Sequence, residues 1–273
     1  MLGQVRLDNK IAVVTGSSRN LGRAMALGLA DAGASVVLAS PETDLLAGVA
    51  AEIEGRHGVG RALPVTVDIT NAADCKRLLA QVVERFGALH VLLNCARRSS
   101  RGPGLPATGN KLKFWESDVA IWQDTVRVAV NGTFVISRTL VPQMIAQGWG
   151  RIINITTSLG TMQRQFNSPY GVTKAALEAA SMIWAQDLDG TGVTVNTLTP
   201  GGSCDVDPSR KYPAEKKLLP ATVMNAAAVW LASDLSDGKT RGRYVGKLWN
   251  ADLSPSDAAA AALEAPVLRE PND

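Results

Sequence analysis

The feature that most constrains this chain is the recurrence of short Val- and Ile-rich runs separated by amphipathic stretches. The runs fall at Ile11–Val14, Val36–Ala39, Leu63–Val67, Val91–Leu93, Ile152–Ile155 and Val193–Thr197. Each is short for a buried helix, and together they read as strands apolar on both faces. Strands of that kind are covered on both faces, the condition of a parallel sheet. The covering helices are predicted from Leu21, from Asn71, around Ile121–Gln147 and from Ser168 onward, with a last strand near Tyr244–Leu248. Right-handed crossovers then give an α/β fold built on a doubly wound parallel sheet.

With 273 residues, 46% of them hydrophobic, the chain suits one core better than two small ones. We expect a single Rossmann-like domain over 1–252 and a C-terminal tail over 253–273, Ala-rich from Ser254 and read as a short helix or a disordered end. Two stretches break the rhythm, a basic Gly- and Pro-rich loop at 99–118 and a candidate substrate loop at 201–219. Loops of that length usually bind something or move. The net charge of +3 is dispersed and not gathered into a stripe, so no nucleic-acid partner is expected. No apolar run approaches the ~18 residues of a membrane span, and no signal-peptide pattern opens the chain. Cys75, Cys95 and Cys204 form no CxxC pair and have no His neighbours, so neither a disulfide framework nor a metal site is expected and a reducing cytoplasm suits the chain.

The first predicted strand runs into Thr15-Gly16-Ser17-Ser18-Arg19-Asn20-Leu21-Gly22, where helical periodicity starts. Gly16 permits a tight turn and Gly22 a close helix–strand approach, which together aim backbone N–H groups and a helix N-terminus at a pyrophosphate. An NAD site calls for a carboxylate about 20 residues onward, at the end of the second strand. That strand ends at Ser40. Ser40-Pro41-Glu42 reads as N-cap, first position and first-turn acid of the next helix. With no repelling carboxylate at the strand end and Arg19 in the turn, the 2′-phosphate of NADP(H) is favoured; the plainer reading makes Arg19 a solvated turn residue.

Tyr170 and Lys174 stand one turn apart at the start of a predicted helix, on one face. A nearby ammonium stabilises a phenolate and draws its pKa down from about 10 towards the working range. Alone the spacing is cheap, but Thr156-Thr157-Ser158 follows a strand at the carboxyl edge of the sheet, where ligands bind. Asn131, in Val130-Asn131-Gly132, interrupts an apolar helix. Such a break costs about 1 kcal/mol and suggests a local distortion with a purpose; a buried, satisfied Asn is the alternative.

In this order the pieces resemble the short-chain dehydrogenase/reductase superfamily, over roughly Asp8 to Leu248. The resemblance implies cofactor contacts from Gly16, Ser18, Arg19, Asn20, Leu21 and Gly22, from Ser40, from Asp68 and Ile69 at the adenine, from Asn94 and Ala96, and from Pro200-Gly201 beside the nicotinamide. It makes Tyr170 the general acid/base. Lys174 would hold the nicotinamide ribose and lower the tyrosine pKa, and Asn131 would anchor a water relay beyond Lys174. Thr157 takes the place of the family's catalytic serine, with Ser158 as its rival. A homotetramer, built on the helices beginning near Ile121 and Ser168, is implied as well.

Departures from the family pattern are also present. Asn20 replaces the second motif glycine, and Asn visits positive φ more readily than most residues. The usual Asn-Asn-Ala-Gly is here Asn94-Cys95-Ala96-Arg97, Asp205 stands where a threonine is common, and Trp249-Asn250-Ala251-Asp252 replaces the usual Asp-Gly-Gly. The resemblance therefore implies hydride transfer between NADP(H) and a small carbonyl or alcohol substrate; the other reading is a catalytically idle NADP(H)-binding sensor or scaffold. Arg97, Arg98 and Arg101, with Lys111 and Lys113, form either an anion-selecting substrate mouth or a solvated basic loop. Trp115 and Trp122 either wall that mouth or pack the loop onto the body.

Overall fold

The structure is a computed structural model, and it describes residues 5–98, 112–206 and 215–267. The chain runs β1 (Ile11–Thr15), α1 (Asn20–Asp31), β2 (Ser35–Ser40), α2 (Thr43–His57), β3 (Ala62–Thr66), α3 (Ala72–Phe86) and β4 (Val91–Asn94). Then follow α4 (Val119–Val126), a π-helical turn (Arg127–Gly132), α5 (Thr133–Gln147), β5 (Gly150–Ile155), the short α6 (Leu159–Met162), α7 (Tyr170–Asp187) and β6 (Val193–Thr199). The described chain closes with β7 (Cys204–Asp205), β8 (Leu219–Pro220), α8 (Asn225–Leu231), β9 (Arg243–Val245), α9 (Pro255–Ala262) and β10 (Leu263–Glu264).

The main sheet has the order β10-β9-β6-β5-β4-β1-β2-β3, parallel throughout except for β10. This is the doubly wound, Rossmann-like arrangement expected from the apolar runs. Successive strand residues enter opposite cores: Ala12 and Val14 join Met25, Leu29 and Trp230 under α1, α2, α8 and α9, whereas Ile11 and Val13 join Leu78, Ile136 and Leu188 under α3, α5 and α7. That division is why β1, β2 and β4 are apolar at consecutive positions.

Local signals set several boundaries. Asn71 caps α3 by accepting from Ala73 and Asp74 N–H, and Gly87 ends it in the left-handed region. Four expectations are refined. The helix predicted over Ile121–Gln147 is α4, a π-turn and α5 in series. The loop at 201–219 is pinched by β7 pairing with β8, while residues 207–214 lie outside the described part. Beyond residue 252, the segment read as a short helix or a disordered end forms the short helix α9, capped by Ser254, and adds β10, which was not expected and pairs antiparallel with β9. Ala258, Ala259 and Ala262 are buried there, because an Ala-rich face packs a helix closely. The last parallel strand ends at Val245, not Leu248, and the chain turns at once through Gly246–Leu248.

Candidate active site

β1 and β4 are neighbours in the sheet, but the chain leaves them for opposite faces, which opens a crevice at their carboxyl ends. Gly16 turns there with φ +67 and Asn20 with φ +55, so Asn20 does adopt the left-handed conformation its replacement of glycine requires. A Cβ on Gly16 would lie 2.8 Å from Ala96 Cα, and one on Gly22 would lie 2.1 Å from the Gly16 carbonyl oxygen. Thr15 Oγ1 accepts from the N–H groups of Cys95 and Ala96, each at 3.1 Å, and so fastens the β4 exit to this turn. α1 opens with extended Arg19 as N-cap, no side-chain cap and no acid in its first turn. The buried Ser17 hydroxyl has no partner. A tight turn backed by glycine, with first-turn N–H groups free of side-chain caps, fits a dinucleotide pyrophosphate. Leu21 packs partly buried against the core behind it.

The ribose end differs from the sequence reading. Ser40 is the last residue of β2 and no N-cap; that position falls to Glu42, whose side chain caps nothing. The Glu42 carboxylate instead turns back to accept from Ser18 at 3.1 Å, from Ser40, and from Arg19 Nη2 at 2.5 Å. Burial alone would raise its pKa; hydrogen bonds from Ser40 and Ser18 and the Arg19 charge outweigh that and hold it below the ordinary value. A carboxylate therefore does stand at the strand end, paired with Arg19.

Asp68 is exposed, and its Oδ1 accepts from Thr70 N at 2.9 Å and Thr70 Oγ1 at 2.8 Å, with Arg127 Nη1 3.5 Å from Oδ2. Ile69 is buried and meets the π-turn: a Cβ on Gly132 would come within 2.8 Å of it. Asn94 is buried, and its amide donates to Ser137 at 3.0 Å and Asn154 at 2.9 Å, leaving its own oxygen unpartnered. Pro200 accepts from Lys247 N at 3.2 Å, and Gly201 turns with φ +82 against Val245 and Lys247.

At the chemical end, Tyr170 opens α7 and Lys174 follows one turn later. Lys174 is 3% exposed, its Nζ donates to the Ile155 carbonyl at 2.7 Å and lies 5.9 Å from the Tyr170 ring centroid. Burial, aided by the Arg97 charge, pulls its pKa down to about 8. Thr157, at the β5 exit, is buried and its hydroxyl has no hydrogen-bond partner among the described residues. The Ser158 hydroxyl bonds Thr161 Oγ1 at 2.9 Å, and Ser158 stands as N-cap of α6. Asn131 lies in the π-turn, so the helix is distorted where its sequence breaks. Its side chain is exposed and unpartnered among the described residues, not buried and satisfied. π-Turns of this kind are frequent at functional sites.

Of the basic segment, Arg98 pairs with Asp124 at 3.0 Å and Lys113 lies 4.9 Å from the Trp115 ring centroid. Arg97 lies 5.7 Å from the ring centroid of Tyr170. Trp115 is 66% exposed and stacks edge-on with Phe114, so it does not pack the loop onto the body. Arg101 and Lys111 are outside the described residues. No group of three or more His, Cys, Asp or Glu side chains among the described residues is arranged to hold a metal, and no described helix is long and apolar enough to cross a membrane.

Residues 10–215 match the family model for short chain dehydrogenases. The chain belongs to the short-chain dehydrogenase family. Members are oxidoreductases that use nicotinamide cofactors. A 2,5-dichloro-2,5-cyclohexadiene-1,4-diol dehydrogenase of Sphingobium indicum is 33% identical to this short-chain dehydrogenase over 240 residues, 84% of this chain and 91% of that protein. Dehydrogenase/reductase SDR family member 1 of Mus musculus is 36% identical over 196 residues, 71% of this chain and 61% of that one. A solved short chain dehydrogenase from Shigella flexneri, complexed with NADP, superposes with a TM-score of 0.78 at 25% identity, covering 89% of this chain and 99% of that one. One from Escherichia coli, complexed with NADPH, gives 0.77 at 26% identity over 89% and 99%.

Three parts of the dehydrogenase's site escape its sequence. Thr15 offers no spacing signal; its role in fastening Cys95 and Ala96 follows from strand adjacency. Glu42 shows itself only once the chain turns it back onto Ser18. The pair Glu178 and Arg243, buried behind Thr157, had one readable cue, a carboxylate one turn beyond Lys174 on the same helical face.

Proposed function

We propose that this short-chain dehydrogenase interconverts a carbonyl and an alcohol with NADP(H), Tyr170 serving as general acid/base. The observation that carries the reading is the buried Lys174 ammonium, hydrogen-bonded to Ile155 O and 5.9 Å from the Tyr170 ring. A cation held in a dry setting beside a phenol stabilises the negative charge that builds on its oxygen as the proton leaves. The unengaged Thr157 hydroxyl supports its assignment over Ser158 as the group that orients a substrate oxygen. Asn131, unpartnered on the π-turn, suits a water relay to Lys174. When bound, the nicotinamide supplies or accepts the hydride; Gly16, Ser18, Asn20 and Gly22 would hold its pyrophosphate, and Pro200-Gly201 would flank its far end.

The NADP-bound neighbours and Arg19 support NADP(H) over NAD(H). Ser18, Ser40 and Arg19 converge on the anion now supplied by Glu42, and we take that as the 2′-phosphate pocket. Arg97 supports an anionic substrate, since among the described cations of its segment it is the one beside Tyr170. Exposed Phe134 on α5 and Val172 and Ile183 on α7 support a homotetramer built on those helices. The three unpaired thiols suit the cytoplasm.

A panel of ketones, 2-oxo acids and the matching esters, followed by loss of NADPH or NADH absorbance, tests the reading. Turnover with NADPH, faster for the acids than for their esters, is expected. An inert protein that still binds NADPH would replace the enzyme by a sensor or scaffold, and equal rates for acids and esters would remove the role of Arg97.

A further inference from the structure

A buried charge cluster lies directly behind the site, and the chemistry proposed above does not use it. Arg243 of β9 and Glu178 of α7 have side chains only 2% and 5% exposed, with Nε to Oε1 at 3.2 Å. Glu178 also accepts from Thr156 Oγ1 at 2.6 Å and Thr197 Oγ1 at 3.1 Å. Arg243 donates through Nη2 to the Thr157 carbonyl at 2.9 Å and pairs through Nη1 with Glu264 of β10. All three guanidinium nitrogens are thus engaged.

The position explains the expense of burying two ions. β5 stops pairing with β6 at Ile155–Leu198, so the carbonyls beyond need other donors. Two buried cations provide them, Lys174 at Ile155 O and Arg243 at Thr157 O. Glu178 stands one helical turn from Lys174 and two from Tyr170 on the face turned to the sheet. The pair therefore grips the backbone that carries the Thr157 hydroxyl and the helix that carries Tyr170 and Lys174. A buried ion pair is a weak source of stability, since desolvation offsets attraction, and an apolar pair of like volume often replaces it without loss. Its three-armed geometry fixes direction instead, which a guanidinium does and an ammonium does not.

We propose that Arg243 and Glu178 are positioning residues that set Thr157 against Tyr170, with Glu264 of the C-terminal strand completing the hold on Arg243. The proposal rests on the acid/base reading of Tyr170. Misplacement of reacting groups by about 1 Å costs on the order of 100-fold in rate, so small releases at Thr157 register in turnover.

The test compares the parent, Tyr170→Phe, Arg243→Lys and the double replacement Glu178→Met with Arg243→Leu, which leaves no unpaired buried ion. The substrate is the ketone or 2-oxo acid turned over fastest in the panel. The double variant is expected to fold, by circular dichroism and urea unfolding, and to bind NADPH with the parental Kd. Its kcat falls by roughly tenfold or more while KM stays within a few-fold. Arg243→Lys, keeping charge but not the fork, also loses kcat, and Glu264→Gln loses less. If Tyr170→Phe is inactive and the folded double variant keeps the parental kcat, the positioning role is overturned and the acid/base reading stands. If Tyr170→Phe turns over at the parental rate, the acid/base reading falls and the positioning role with it. Should the double variant not fold, Arg243→Lys decides in the same way.

Discussion

Replacing Lys174 by Met measures what holding a cation beside Tyr170 demands of the fold. Burial draws the lysine pKa from 10.5 to about 8, a gap that corresponds to about 3 kcal/mol at ~1.4 kcal/mol per tenfold. Below about pH 8 the folded and unfolded lysines are both protonated, and the fold bears that whole cost. Between about 8 and 10.5 the folded lysine sheds its proton while the unfolded one keeps it, so stability rises with pH across this window. Lys174→Met removes the titration and also the hydrogen bond to Ile155 O; an unsatisfied carbonyl costs about 1–3 kcal/mol at any pH. Near neutrality the two effects oppose, and the variant is about as stable as the parent. At about pH 10 only the loss remains, so the variant falls behind by an additional ~3 kcal/mol. Urea unfolding of both cofactor-free proteins at the two pH values reads the difference, in which the titrations they share cancel. A parent–variant gap that stays constant would mean that Lys174 titrates in the fold as it does in water, and the dry setting assigned to its ammonium would be refuted.

Glu42→Gln removes the carboxylate facing Ser18, Ser40 and Arg19, and is expected to lower KM for NADPH by about tenfold, ~1.4 kcal/mol, with little change for NADH. Weaker NADH use and unchanged NADPH use would instead make Glu42 a ribose ligand. Arg19→Ala is expected to raise KM for NADPH far more than for NADH in the same steady-state assay, and equal effects would end the assignment of the 2′-phosphate pocket. Gly22→Ala sets a Cβ 2.1 Å from Gly16 O; overpacking of this kind costs about 1–3 kcal/mol, and the thermal midpoint is expected to drop and the gain from added NADPH to disappear. Ile183→Glu, at a side chain 56% exposed on α7, is expected to convert a tetramer to smaller species in light scattering with the fold intact.

The six parallel strands nearest the cofactor crevice were legible as short Val- and Ile-rich runs between amphipathic stretches; β1, β2 and β4 are apolar at consecutive positions because both of their faces are buried. The break at Asn131-Gly132 was legible too, as two poor helix formers in an apolar helix. Its form follows from tertiary contact: Gly132 backs onto Ile69 too closely for a side chain. The start of α2 misled, because Ser40-Pro41-Glu42 obeys local capping rules while Ser40 and Glu42 are drawn to Ser18 across the crevice. β10 carries no periodicity in two residues and forms because β9 offers an open edge beside an Ala-rich helix. Arg243 was invisible, and Glu178 nearly so, for a related reason: a charged residue in a short sequence window reads as surface, and only the assembled sheet surrounds it.

The most direct test of the central claim is turnover and NADPH binding by Tyr170→Phe, the phenol hydroxyl alone removed. The account predicts that NADPH absorbance no longer falls with any substrate the parent reduces, while fluorescence titration gives an NADPH Kd within a few-fold of the parent. Turnover retained at the parental rate would contradict it.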